Sequence, residues 1–181
     1  RAEASITVQH VYKTKLTTIV GGQVKTIGQD DGTDTKQFPA EGETLRAGDS
    51  FTPVEQCTYG EYTYQRTSSD EVLNPVILQP GANATIVIYY ERNDSDLQNT
   101  TYQVDHEYRT YTMKIDANGA ATYGDPVVET ETGSTIDAYV NQTVMLDAGN
   151  RDGFTPLASN PSTTQTLAED GNHWTFVHEK Y

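Results

Sequence analysis

Val8-Gln9-His10-Val11-Tyr12-Lys13-Thr14 recurs as Val104-Asp105-His106-Glu107-Tyr108-Arg109-Thr110, 96 residues further along. Val, His, Tyr and Thr are identical in the two copies and the basic residue is kept. The identities fall at every second position, the spacing at which a strand returns its side chains to one face. Counting outward, Ile6, Val8, His10 and Tyr12 share that face, and Thr7, Gln9 and Lys13 take the other. The pattern predicts a half-buried strand, present twice.

Two further blocks repeat in the same order. Gly42-Glu43-Thr44-Leu45-Arg46-Ala47 matches Gly133-Ser134-Thr135-Ile136-Asp137-Ala138 at an offset of 91, and Thr85-Ile86-Val87 matches Thr175-Phe176-Val177 at an offset of 90. Self-similarity of this kind marks a repeat array, with length changes confined to loops. The shrinking offset places a deletion opposite the polar stretch Gln29-Asp30-Asp31-Gly32-Thr33-Asp34-Thr35, which is therefore expected to be a loop of the first copy. The division that follows is 1–92 for repeat 1, 93–100 for a polar linker and 101–181 for repeat 2.

Composition bounds the function. The chain has 181 residues, 35% of them hydrophobic, and a net charge of −14 without any Lys/Arg cluster. Such a field repels polyanions, which excludes nucleic acid as a partner. Short alternating runs of Val, Ile, Thr, Tyr and Phe predict a folded chain with thin cores. Cys57 is the one cysteine, so no intramolecular disulfide forms. That usage suits the cytosol or a Gram-positive cell surface equally. No apolar run approaches the roughly 18–20 residues of a membrane span, and Arg1-Ala2-Glu3-Ala4 has no initiator Met, so an excised internal fragment without membrane insertion is expected.

Asp116-Ala117-Asn118-Gly119 follows the second copy's first strand and predicts a hairpin, because Asn and Gly tolerate positive φ. Thr44 and Thr135 are competent helix N-caps, so one short helix or irregular crossover per copy is expected there. The copies close on Ala84-Thr85-Ile86-Val87-Ile88-Tyr89-Tyr90 and on Trp174-Thr175-Phe176-Val177-His178-Glu179-Lys180-Tyr181, both strand-like. First and last strands would then pair at the centre of each sheet. The predicted fold is mainly β, α+β at most: two tandem β-grasp-like domains, each a small mixed sheet.

The paired Val-x-His-x-Tyr motifs, the Asp116–Gly119 turn, the Gly-led middle blocks and the closing strands around Val87 and Val177 resemble the MucBP (mucin-binding protein) repeats of Gram-positive surface proteins. The resemblance covers most of the chain, although its motifs are short and copy one carries an acidic insertion. It implies a non-enzymatic adhesion module at the bacterial cell surface or cell wall, extracellular, with host mucin or another glycoprotein or glycan as partner beside other repeats of the same chain. The alternative is a structural spacer within a larger surface protein; a glycan-processing enzyme fragment is the remote one.

Tyr59, Tyr62, Tyr64, Tyr89 and Tyr90 are the candidate ligand-binding residues, since aromatic faces stack on sugar rings and phenol hydroxyls hydrogen-bond. His10 and His106 read as packed core histidines. His173 and His178, five apart on a strand, point to opposite faces and do not suit joint metal ligation. Asp30–Asp34 and Asp116–Gly119 lack the EF-hand oxygen series. Cys57 lacks the setting of an internal thioester, and Lys13, Lys15 and Lys114 have no identifiable isopeptide partners. Glu129 and Glu131 carry no companion catalytic signal. No catalytic residue, metal or cofactor is predicted.

Overall fold

The computed structural model describes residues 1–53, 58–59, 62–63, 65–66, 76–81 and 83–181. They are β structure and turns, with no helix among them and hence none long and apolar enough to cross a membrane. The chain divides into two compact units, Arg1–Thr18 with Thr26–Asp96, and Ile19–Lys25 with Leu97–Tyr181.

Unit 1 is built on the long hairpin of β1 (Ser5–Val20) and β2 (Gln23–Phe38), whose tip Ile19–Lys25, with the turn Gly21-Gly22, is the part that falls within unit 2. Both glycines have positive φ, 60° and 78°, as the twist-matched type I′ hairpin turn requires. The short strands β3 (Ser50–Phe51), β4 (Thr58–Tyr59), β5 (Tyr62–Thr63), β6 (Gln65–Arg66) and β7 (Val76–Ile77) follow, and β8 (Asn83–Ser95) closes the unit. The main sheet has the order β2-β1-β8-β6, and β8 runs parallel to β1.

Unit 2 repeats that order. Its strands are β9 (Asn99–Thr110), β10 (Met113–Ile115), β11 (Ala121–Tyr123), β12 (Val127–Glu131), β13 (Ile136–Tyr139), β14 (Thr143–Met145), β15 (Thr155–Pro156), β16 (Thr164–Thr166) and β17 (His173–Lys180). The main sheet runs β12-β9-β17-β15, with β17 parallel to β9 and β13 paired to the first half of β9. First and last strands therefore lie side by side in both units. The predicted hairpin is β10–β11, whose turn is tied by the Asp116 carboxylate accepting from the Asn118 and Ala120 amides.

Hydrogen bonds outside the strands repeat as well. The Gly48 amide donates to the Leu78 carbonyl and Leu78 back to Asp49, while Asn141 donates to Leu167 and Leu167 back to Gln142. Asp49 accepts from the Arg46 amide through its side chain, as Gln142 does from Tyr139. Gly48 and Asn141 both have positive φ, at 90° and 70°. Leu78 and Leu167 are both buried. This turn fixes the equivalence of the middle blocks at Arg46 with Tyr139, two residues from the one that sequence matching indicates.

The closing strands shift by the same amount. Thr7 pairs Thr85 and Gln103 pairs His173, so Ile88 corresponds to Phe176 and Tyr90 to His178. A slip of two conserves the face of every side chain, which is why the hydrophobic pattern alone does not reveal it.

Four expectations need correction. Thr135 leads into strand β13, and Thr44 into an isolated bridge between Arg46 and Glu3, so of the short helix or irregular crossover expected there the helix is not formed; pairing with the first strand and the residues just before it satisfies the backbone groups a helix would have satisfied internally. The acidic stretch Gln29–Thr35 is strand, within the 16-residue β2, and not a loop. Lys13 and Thr14 of the neighbouring strand supply Asp30 with an ion pair at 3.8 Å and Asp31 with a short hydrogen bond. In unit 2 the same hairpin is interrupted at Tyr111–Thr112 and at Gly124-Asp125-Pro126, where proline has no amide to donate to a ladder. Third, Asn93–Ser95 and Asn99–Thr100 of the predicted linker belong to β8 and β9, which leaves Asp96–Gln98 between the strands. Fourth, Tyr90 is a core residue, as described next.

The core of unit 1 is Val8, Tyr12, Ile88 and Tyr90, with Phe38 and Phe51 packed against it and Ala4, Ile6 and Leu78 continuing it. Burying each large side chain contributes about 1.5–3 kcal/mol. Tyr90 stacks on Tyr12 at 5.0 Å and shares a hydrogen bond of 3.1 Å with His10 Nδ1. His10 is thus the satisfied core histidine its pattern predicts, and burial pushes its pKa down.

Unit 2 has His178 in Tyr90's place, and its Nε2 donates to the Ala148 carbonyl at 2.8 Å. His106 Nδ1, equivalent to that of His10, consequently has no hydrogen-bond partner among the described residues. Its ring sits beside Phe176, Tyr108 and His178, with Gly149 directly against it. Arg151 closes this side, its guanidinium 3.8 Å from the Tyr108 ring centroid and bonded to both Glu129 and Glu131.

Candidate functional site

Alternation along β9 sorts its residues into a core face and an open face. Tyr102, Val104, His106 and Tyr108 face the core side; Asn99, Thr101, Gln103, Asp105, Glu107 and Arg109 face the other. Across the ladder, Asn99 pairs Tyr139 and Thr101 pairs Asp137, so Asp137 and Tyr139 join the open face, as does His173 opposite Gln103. Asn99, Thr101, Gln103, Asp137, Tyr139 and His173 border a cleft of about 700 Å³, with Thr100, Tyr102, Ala138, Thr135 and the turn Glu169-Asp170-Gly171-Asn172 completing its lining.

Asn172 fixes that turn against β9. It is buried, its amide nitrogen donating to Thr100 Oγ1, the Thr101 carbonyl and the Ala168 carbonyl, and its oxygen accepting from the Ala168 amide. Thr100, also buried, donates onward to the carbonyls of Ala168 and Glu169. A satisfied buried network of this kind rigidifies its surroundings, so the wall of the cleft is set before any ligand arrives.

At the far side Asp105 binds His173 Nε2 at 2.6 Å and accepts from Gln103 Nε2 at 3.0 Å and the Gly133 amide at 2.9 Å. The Gln103 amide first, then His173 and the Gly133 amide, hold its carboxyl down to about 2. The unfolded chain takes up a proton at this group before the folded chain does, so unit 2 has the contribution in full above about pH 4 and loses it as pH falls toward the folded value. The urea midpoint followed by Trp174 fluorescence is expected to drop across that interval, and to drop less in Asp105→Asn; equal slopes in the two proteins would refute the assignment.

Electrostatically the cleft is acidic. Asp137, Glu169 and Asp170 are exposed at its rim, and its one basic side chain, His173, is engaged by Asp105. Hydroxyls, amides and carboxylates around a half-buried phenol ring suit an uncharged, hydroxyl-rich ligand. Unit 1 has a smaller cleft of about 280 Å³ at the equivalent place, lined by Glu3, Ala4, Ser5, Thr44 and Leu45 among others. It carries no aromatic side chain, for Tyr139 corresponds to Arg46 there.

The predicted tyrosines fare differently. Tyr90 is 1% exposed and inaccessible to a ligand, because its strand parity turns it into the core. Tyr89, its neighbour, is 46% exposed on the opposite face. Tyr59 and Tyr62 pair through their backbones across β4 and β5, and their side chains, with all of Tyr64 and Cys57, lie outside the described residues. Tyr139 escapes sequence reasoning because nothing local shows that β13 borders β9.

The remaining candidates are accounted for locally. His178 is buried and His173 exposed, on opposite faces as their spacing requires. Lys13 and Lys15 are exposed and form ion pairs with Asp30 and Glu91. Among the described residues no group of three His, Cys, Asp or Glu side chains is arranged to hold a metal. Comparison of the chain with protein-family models, with curated proteins and with solved structures finds no match in any of the three.

Proposed function

We propose that the chain is a non-enzymatic adhesion module of a bacterial surface protein, two tandem β-grasp-like repeats of MucBP type that bind neutral glycan on host mucin or another glycoprotein. The observation that carries the reading is the unit 2 cleft: a preformed, polar depression with Tyr139 on its floor and carboxylates on its rim. Polar groups placed around one aromatic surface give the directional hydrogen bonds and the stacking face that a sugar uses. The acidic rim disfavours sialylated and sulfated glycans, and its exposed carboxylates are arranged as hydrogen-bond acceptors in solvent. The β-grasp description fits the central parallel pairing of first and last strands, with turns and short strands in place of a crossover helix.

Binding of the intact chain to immobilised mucin and to an array of neutral oligosaccharides tests this directly. Tyr139→Ala and Asp137→Asn are each expected to weaken binding at least about tenfold, corresponding to roughly 1.4 kcal/mol or more. Silence across the array, or binding indifferent to both changes, would instead favour a structural spacer. That second reading draws support from the hydrogen-bonded framework repeated in the two units, which holds each fold without requiring a ligand.

A further inference from the structure

Beyond the last residue of β9, the Tyr111 amide still donates to the Lys180 carbonyl at 2.8 Å, which brings Tyr111 alongside Tyr181. Their rings stack at 4.7 Å with 7° between planes, and Tyr123 meets Tyr181 edge-on at 5.2 Å. Both stacked hydroxyls converge on one carboxylate: Tyr181 donates to Glu179 Oε2 at 2.8 Å and Tyr111 to Oε1 at 3.4 Å. Glu179 is in turn held by Arg109 at 3.9 Å, and Arg109 by Glu107 at 3.2 Å. The result is an aromatic pair whose tilt and separation are set by its supports, yet Tyr181 is 68% and Tyr123 47% exposed.

The fold does not need these rings. Under the register shared by the units, Glu179 corresponds to Glu91, Arg109 to Lys13, Tyr111 to Lys15 and Tyr181 to Asn93. Unit 1 keeps the carboxylate and satisfies it with Lys15 at 3.0 Å. Unit 2 keeps the carboxylate and replaces the cation and the amide by two large aromatic side chains, Tyr111 half-buried and Tyr181 exposed. Exposing apolar rings has a cost that burial elsewhere does not offset, and an ordered exposed aromatic cluster is a feature of binding surfaces.

The geometry points to a second ligand site here: an aromatic platform, Tyr111, Tyr123 and Tyr181, that stacks a neutral pyranose ring. The 4.7 Å stack closes the gap between the paired rings and leaves no slot between them for a proline ring or an extended peptide, while Tyr123, at 85° to the exposed Tyr181, adds a second aromatic wall beside it. A pyranose offers a matching flat face of C–H bonds, whose slight positive charge meets the negative face of the ring. The chain's charge of −14 disfavours an anionic sugar. The platform shares the open face of the sheet with the cleft, eight positions along β9 from Gln103, about 26 Å at 3.3 Å per residue. It takes the same class of ligand as the reading above but stands on different residues.

Titration of the intact chain with methyl β-galactoside, methyl β-glucoside and N-acetylglucosamine at millimolar concentration, observed by NMR at assigned tyrosine ring signals, separates the two. Saturable shifts at Tyr111, Tyr123 and Tyr181 are expected, and the shift at Tyr123, the ring that remains, should vanish in the double variant Tyr111→Lys, Tyr181→Asn. Those replacements are the residues unit 1 already accommodates at these positions, so loss of binding does not report loss of fold. Shifts at Tyr139 and His173 alone would overturn the platform and leave the cleft. No shift at either group overturns both, and platform shifts that survive the double variant overturn the stacking assignment.

Discussion

Tyr90→Ala is expected to destabilise unit 1 by about 3–5 kcal/mol, the range for deleting a fully buried aromatic side chain. Tyr89→Ala, one residue earlier, should stay within about 0.5 kcal/mol, as exposed substitutions do. Tyr90 is 1% exposed, stacks on Tyr12 and is the hydrogen-bond partner of His10, so truncation leaves a cavity and a buried imidazole nitrogen without its partner. A domain of this length holds only about 5–13 kcal/mol in total, at 0.05–0.15 kcal/mol per residue, so the loss is a large share of it. Amide hydrogen exchange across β1 and β8 measures the effect within unit 1, and Trp174 fluorescence shows whether unit 2 keeps its fold. Similar protection in the two variants would mean that the strand parity assigned here is wrong.

Gly133→Ala should have the corresponding effect in unit 2. A Cβ at Gly133 would lie 2.0 Å from the Val104 carbonyl oxygen, far inside van der Waals contact, and the obstacle is backbone of the central strand β9. Neither side can yield by rotating a side chain, so the crossing segment must lift. Overpacking of this kind costs about 3 kcal/mol, at the upper end of its usual range. Lifting also withdraws the Gly133 amide from Asp105, so Asp105→Asn and Gly133→Ala should be less than additive, as coupled neighbours are. Gly124→Ala is the control: nothing lies within 4 Å of its Cβ and its φ is not in the left-handed region, so no loss is expected. A urea midpoint for Gly133→Ala equal to that of the control would refute the close approach.

Both experiments bear on how much could be read before the structure was known. Alternation in Ile6-x-Val8-x-His10-x-Tyr12 predicts the buried face, and all four residues are at most 3% exposed. Thr7 is buried as well, on the face expected to be outward, because a sheet centre has neighbours on both edges. The hairpin at Asp116–Gly119 was legible for the same local reason, although Gly119 alone of the Asn-Gly pair takes positive φ. Tyr90 was misread although the same rule applies to it: the run from Ile86 to Tyr90 is apolar on both faces, so alternation is silent and only the pairing of Tyr12 with Tyr90 decides which ring goes in.

What the amino-acid sequence determined by itself was whatever rests on neighbours within a few residues or on composition: two copies of a strand motif, the hairpin at Asp116–Gly119, a net charge of −14, and closing strands of β character. Register escaped it, since a slip of two residues conserves every face and so leaves the hydrophobic pattern unchanged, whereas hydrogen bonds such as Gly48 to Leu78 and Asn141 to Leu167 admit one alignment. The cleft and the aromatic platform belong wholly to the tertiary structure. Tyr139 meets the cleft because β13 pairs with β9, and Tyr111 meets Tyr181 because β17 lies parallel to β9. Residues 70 positions apart share a surface only after the chain has folded, and no local preference encodes that meeting.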